Sequence, residues 1–242
     1  MKRLVIAGVL VFLGVLIASF PARVAYKWFA PAELRLSGIT GSVWNGRASE
    51  GYAGGAYLSN IAWTFSPGAL LSGRLGFHAS CNPASGTMQG EIAVSPGGSL
   101  LLSGLSGNVP LSLLNPALLQ SGIRGDITLE FESVELRNGI PAAARGTITV
   151  RDFFVPDLSP SRIGDFRAEF TTGDAGPVGS VEDVSAMLDV AGTLSLDQDG
   201  RYSLTGVVAP TAMTPPEVVD KLRFLGSPNE RGQHEFRFEG QL

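Results

Sequence analysis

Two hydrophobic patterns divide the chain near residue 30. From Leu4 to Phe20 the sequence is an unbroken uncharged run of 17, and Met1-Lys2-Arg3 precede it. From Leu34 onward the pattern changes to a period of two. Ile127, Leu129 and Phe131 alternate with Thr128, Glu130 and Glu132, and Ile148 and Val150 alternate with Thr147, Thr149 and Arg151. Leu194/Leu196, Tyr202/Leu204 and Phe236/Phe238 continue the alternation to the C-terminus. Side chains on a strand point to opposite faces in turn, so this pattern predicts strands with one apolar and one wet face, paired antiparallel. Val134 and Leu136 fall one step out of phase with Phe131, which predicts a bulge near Ser133.

The N-terminal run predicts a transmembrane signal-anchor. At about 1.5 Å per residue it reaches about 25 Å, short of a hydrocarbon core of about 30 Å. Its apolar contacts are Leu4, Val5, Ile6, Val9, Leu10, Val11, Phe12, Leu13, Val15, Leu16, Ile17 and Phe20. Ala22, Val24 and Ala25 extend the run, Arg23 snorkels, and Tyr26, Trp28 and Phe29 form an aromatic belt beside Lys27. A cleaved signal peptide needs small residues at the first and third positions before the cut. Phe20 and the spacing of Ala22 and Ala25 fit that poorly. The flanking cations nearly balance, but none of the 22 acidic residues lies in the first 29 positions. The expected division is residues 1–29 as cytoplasmic tip, anchor and belt, and 30–242 as a periplasmic body.

Turn residues separate the alternating runs. Asp197-Gln198-Asp199-Gly200 predicts a hairpin loop, and Pro96-Gly97-Gly98, Asn138-Gly139 and Asn229-Glu230-Arg231-Gly232 predict further turns. Two stretches read as short helices: Leu111 to Gln120, and Pro215 to Leu225. In the second, Thr214 is the expected cap, Gly226 the stop, and Val218, Val219, Leu222 and Leu225 the shared face. Trp63 and Phe65 read as core of a strand. The recurrence of Gly-x-apolar-x-apolar at Gly125, Gly146 and Gly192 has no fixed period, so a solenoid is not expected.

Composition narrows the function classes. Charged residues make up 17% of 242, with 31 glycines and 15 prolines, which suits turns and strands better than a bundle. A net charge of −4 gives no footprint for nucleic acid. One cysteine forbids an internal disulfide, and Cys81, His78 and His234 are too few for a zinc centre. There is neither a nucleophile elbow nor a phosphate-binding loop. Glu130/Glu132 and Asp197/Asp199 have strand or loop spacing and read as solvated carboxylates. No cofactor and no enzymatic activity are expected.

Two glycine-rich motifs remain. One is Leu36-Ser37-Gly38-Ile39-Thr40-Gly41-Ser42-Val43-Trp44-Asn45-Gly46-Arg47-Ala48, where a strand with Trp44 packed inward and close approach at Gly41 and Gly46 is expected. The other is Leu222-Arg223-Phe224-Leu225-Gly226-Ser227-Pro228-Asn229, followed by Gly232 and Phe236 to Gly240. With the N-terminal run and the length, these make the chain resemble the N-protein family of the bacterial type II secretion system. The resemblance spans almost the whole chain and is weakest from Cys81 to Pro110. It marks Gly38, Gly41, Trp44, Gly46, Arg47, Leu222, Leu225, Gly226, Gly232 and Gly240 as family-motif positions of structural character.

That resemblance implies a single-pass inner-membrane subunit whose periplasmic β domain serves the export of folded proteins. It implies no catalytic residue. Expected partners are inner-membrane lipid, the other secretion subunits of the inner-membrane platform, and the periplasmic part of the secretin. The expected fold is mainly β, a curved antiparallel sheet with one or two short helices. If the sheet forms an open groove of the AsmA-like kind, a lipid ligand could lie in it. The rival is therefore a lipid-handling envelope protein independent of secretion. A small outer-membrane barrel fits less well, because barrel strands need about 9–11 alternating residues and most runs here look shorter.

Overall fold

The computed structural model describes residues 2–30, 34–53, 56–114 and 122–241. Fourteen strands form one antiparallel sheet: β1 Leu34–Ser37, β2 Thr40–Gly41, β3 Asn45–Ala53, β4 Ala56–Ser66, β5 Leu75–Pro83, β6 Thr87–Val94, β7 Leu100–Pro110, β8 Arg124–Arg137, β9 Ile140–Phe154, β10 Gly164–Thr172, β11 Pro177–Ala186, β12 Leu188–Leu196, β13 Arg201–Pro210 and β14 His234–Gln241. From β3 to β14 every strand pairs with its sequence neighbours, while β1 and β2 both pair with β3. Among the described residues β14 has no pairing with β1, so the sheet is open.

Register explains why alternation holds across the whole sheet. Leu129, Ile148, Ala168, Val181, Gly192, Gly206 and Phe236 are successive cross-strand partners from β8 to β14. Beside them, Glu130, Thr147, Glu169, Ser180, Thr193, Thr205 and Arg237 form a polar row on the opposite face. Phe65, Phe77, Ile92, Leu102, Val134 and Ala144 extend the apolar side from β4 to β9. A one-residue slip would invert all of this, so the bulges matter. One lies between Phe131 and Ser133, where the phase break predicted it.

Strand length differs from the expectation. β8 and β9 have 14 and 15 residues, and β4 and β7 have 11 each. Glycine sits within β7, β8 and β9 rather than ending them, because bulges and close cross-strand contacts absorb it. The argument from short runs against a barrel therefore fails, and it is the unpaired edges that distinguish this sheet.

The hairpins fall where turn residues predicted. Asn138 and Gly139, at φ +53° and +81°, close β8–β9 in the paired left-handed conformation of a two-residue turn. Asp197 N–H donates to Arg201 O at 2.8 Å around the β12–β13 loop. Asn229 N–H donates to Gln233 O at 2.8 Å just before β14.

Helices are few. α1 is Lys2–Ala18, α2 is Ala22–Phe29, α3 is Pro216–Leu222, and short 3-10 turns follow β4, β7 and α3. Leu111–Leu114 forms one of these turns, while the remaining expected helix, 115–120, lies outside the described residues. Thr214 does not cap α3. Pro215 holds that position, and the Thr214 hydroxyl instead donates to Met187 O, tying the helix to the sheet. Of the expected apolar face, Val218 and Leu222 are buried, whereas Leu225 is 40% exposed.

Buried apolar side chains gather in three clusters on the apolar face. α2 covers one with Ala22 against Ile39 and Ala48. Leu111 and Ile123 cover a second over Val109 and Ile127. α3 covers the third, placing Val218 and Leu222 on Ile163, Leu188 and Val208. Between patches the aromatic and aliphatic side chains, such as Phe131 and Phe170, are only half-buried.

Candidate functional site on the apolar face of the sheet

The first edge of the sheet is where the apolar N-terminal helix joins the body. Every described side chain of α1 from Leu10 to Ala18 is exposed. A helix end leaves carbonyls without intrahelical donors, and the motif around Trp44 supplies one. The Trp44 indole N–H donates to Ile17 O at 2.7 Å, and Val43 N–H donates to Phe20 O at 3.0 Å. Pro21 bridges to Ser42. Trp44 is thus in a bend before β3, half-buried, and not on a strand packed inward. Its ring meets Phe65 edge-on at 4.9 Å.

The inward tryptophan is Trp63 on β4, whose indole donates to Val43 O at 3.0 Å. It passes over Gly46, where a Cβ would come within 2.3 Å of the Trp63 ring. That contact fixes the need for glycine. Gly38 and Gly41, at φ +65° and +87°, turn the chain between β1, β2 and β3. Arg47 is exposed on the other face.

α2 was read from sequence as an extension of the apolar run with an aromatic belt. The helix instead breaks at Ser19-Phe20-Pro21, and α2 lies on the sheet. Ala22 is 4% exposed, Arg23 Nε donates to Ile39 O, and the Tyr26 hydroxyl donates to Leu34 O at 3.0 Å while accepting from Leu36 N–H at 2.9 Å. Trp28 remains largely exposed, its ring 5.9 Å from Phe20. The signal available in the sequence was the alternation of Arg23 and Lys27 with Ala22, Ala25 and Tyr26, which is helical amphipathicity rather than a continuous span. Beneath α2 is an apolar cavity of about 390 Å³ lined by Ala25, Tyr26, Leu36, Trp63, Phe77 and Ile92 among others.

The C-terminal motif from Leu222 to Gly232 lies at the opposite end of the strands, and Gly240 at the near end. Leu222 is buried under α3, and Gly226 at φ +115° ends the helical segment. Gly226 O accepts from Nδ1 of the buried His234 at 2.8 Å, which fixes the proton on that nitrogen. Gly232 at φ +77° completes the turn into β14, and Gly240 lies against Tyr202, whose hydroxyl a Cβ would meet at 2.5 Å.

Burial pushes the Cys81 thiol up from its ordinary value, which lowers its thiolate fraction at neutral pH. The Arg201 guanidinium, 2.7 Å from Asp199, holds that carboxyl below its usual value in the exposed β12–β13 loop. Among the described residues no group of three or more His, Cys, Asp and Glu is placed to hold a metal ion. Nor is any helix long and apolar enough to cross a membrane, α1 having 17 residues.

Comparison with known proteins places this architecture. The family described as type II secretion system (T2SS), protein N, matches residues 32–237, which is almost all of the sheet. The chain belongs to that family. Two relatives carry the same name, type II secretion system protein N. The protein from Vibrio cholerae is 26% identical over 259 aligned positions, covering 100% of both chains. The one from Aeromonas hydrophila is 22% identical, covering 96% of this chain and 94% of its own. No solved structure matches the chain. Gly38, Gly41, Trp44, Gly46, Gly226 and Gly232 fall within the matched region, and Gly240 lies just beyond it.

Proposed function

We propose that the chain is a non-enzymatic, inner-membrane-anchored subunit of the type II secretion machinery, with its β body in the periplasm. The observation that carries the reading is the family match across the sheet, joined to an apolar helix held at its C-terminal end by the first sheet edge. α1 is uncharged from Leu4 onward, its side chains from Leu10 to Ala18 are exposed, and Lys2 and Arg3 stand in its first turn, which suits a helix solvated by lipid with its cations inside. The body would then act as a scaffold for neighbouring subunits of the inner-membrane platform and the secretin. Deletion of the chain should leave secreted proteins folded in the periplasm, and crosslinking in membranes should recover other secretion subunits with it. Normal secretion without the chain would overturn the role. Loss of the first twenty-odd residues from the mature mass would overturn the anchor.

A second reading is favoured by the cavity beneath α2 and the half-buried apolar rows that continue from it. In that reading the face holds an acyl chain, as in AsmA-like lipid-handling proteins. Mass spectrometry of the chain extracted from membranes separates the two. Stoichiometric lipid retained through exchange into lipid-free detergent supports it, and its absence removes it.

A further inference from the structure

The loop end of β4 and β5 is apolar and bare. After Ser66 the chain makes a 3-10 turn, Pro67–Ser72, and resumes at Leu75. Leu71 is 95% exposed, Leu70 52%, and Leu75 and its register partner Val94 are exposed as well. Isolated exposed leucines need no explanation, but this is a contiguous group on a built turn. Gly73 N–H donates to Leu70 O at 2.9 Å, Arg74 N–H to Ala69 O at 3.1 Å, and the Ser72 hydroxyl to Ala69 O at 2.8 Å. From Thr64 to Phe77 the sole ionisable residue is Arg74, and from Ile92 to Leu105 there is none.

Position decides what such a turn meets. Phe65, two residues before it, donates its N–H to Trp44 O at 2.6 Å, and Trp44 holds Ile17 O at the end of α1. The bare leucines and the exit of α1 therefore share one end of the strands.

We infer that Pro67–Ser72 is a second membrane contact, with Leu70 and Leu71 seated at the headgroup–acyl boundary of the bilayer that holds α1. The inference rests on the reading of α1 as an anchor. Amphipathic surface elements bind membranes through buried apolar area plus attraction to anionic lipid, and half-buried Arg74 at the base of the turn supplies the cation. One helix alone leaves a body free to tilt. Two attachments on one strand end set the sheet upright on the bilayer.

The test uses the full chain with Cys81→Ser, in vesicles of phosphatidylethanolamine and phosphatidylglycerol. Single probes are Leu13→Cys in α1, Leu71→Cys, and Phe224→Cys, which is 90% exposed at the opposite end of the strands. Each carries an environment-sensitive fluorophore and is challenged with lipids spin-labelled near the headgroup or along the chain. The expected result is a blue shift and loss of most emission at Leu13→Cys and Leu71→Cys, with Phe224→Cys unaffected. Quenching at Leu13→Cys alone overturns the inference and leaves the anchor intact. No quenching at Leu13→Cys overturns the anchor and this inference with it. Equal quenching at Phe224→Cys and Leu71→Cys overturns it too, because the contact is then unoriented adsorption.

Discussion

At the scale of single residues, the first motif is a set of steric and hydrogen-bonding demands. Gly46→Ala places a methyl group against the Trp63 ring in a space with none to spare. Overpacking of this kind costs about 1–3 kcal/mol. A thermal scan by circular dichroism should show the melting temperature falling by about 2–4 °C per kcal/mol, as for other domains of this size. Trp44→Phe keeps a ring for Phe65 but removes the donor to Ile17 O, a bond worth about 1 kcal/mol. Trypsin should then cut faster at Arg23, and an unchanged rate would show that the indole does not hold the junction. Cys81 should alkylate more slowly at neutral pH than a free thiol, with its rate rising only above the ordinary thiol range, because burial raises its pKa. For Asp199 the sign is opposite. Its folded pKa is depressed by Arg201, so the pairing is present above the ordinary carboxylate pKa and is lost as pH falls through the folded value. Arg201→Gln should raise the Asp199 midpoint in a carbon-detected titration.

At the scale of elements, α2 and α3 are lids over an apolar sheet. Leu222→Ala removes a 4% exposed side chain from the α3 patch and should cost about 2–5 kcal/mol. The same variant should bind more of an apolar dye such as ANS, since Leu188 and Val208 lose their cover. Strands, turns and α3 were legible in the sequence because period-two alternation and turn residues report local geometry. The bulge at Phe131/Ser133 was legible for the same reason, as a phase break. What was hidden depends on distant contacts. Trp44 reads as a strand residue until the carbonyl of Ile17 is seen beside it, and Thr214 reads as a cap until Met187 O takes its hydroxyl. Tyr26 and Trp28 look alike in an aromatic cluster, yet Tyr26 is bonded to both neighbours of Arg35 while Trp28 is largely exposed beside the Phe20 ring. Exposure of Leu70 and Leu71 was equally silent, because an apolar run next to glycine fits a buried strand as well as a bare turn.

At the scale of the molecule, one sheet of fourteen strands is continuous from the α1 junction to the C-terminal edge. Its two faces differ in chemistry along their whole width, so the molecule offers a polar outer surface and an apolar one that its own helices cover only in patches. If the chain is anchored as proposed, sodium carbonate extraction should leave it in the membrane pellet, whereas a chain lacking residues 1–20 should appear in the supernatant. The pairing of every strand from β3 onward with its immediate neighbours has a further consequence. Each hairpin needs only the strand already laid down before it, so assembly can follow the order in which polypeptide emerges from a translocation pore. Contacts that are local in sequence form without a large loop-closure entropy. A body translocated from its first strands onward would grow outward from the tethered edge, and arrest at any stage would leave a shorter sheet with a fresh, unpaired margin.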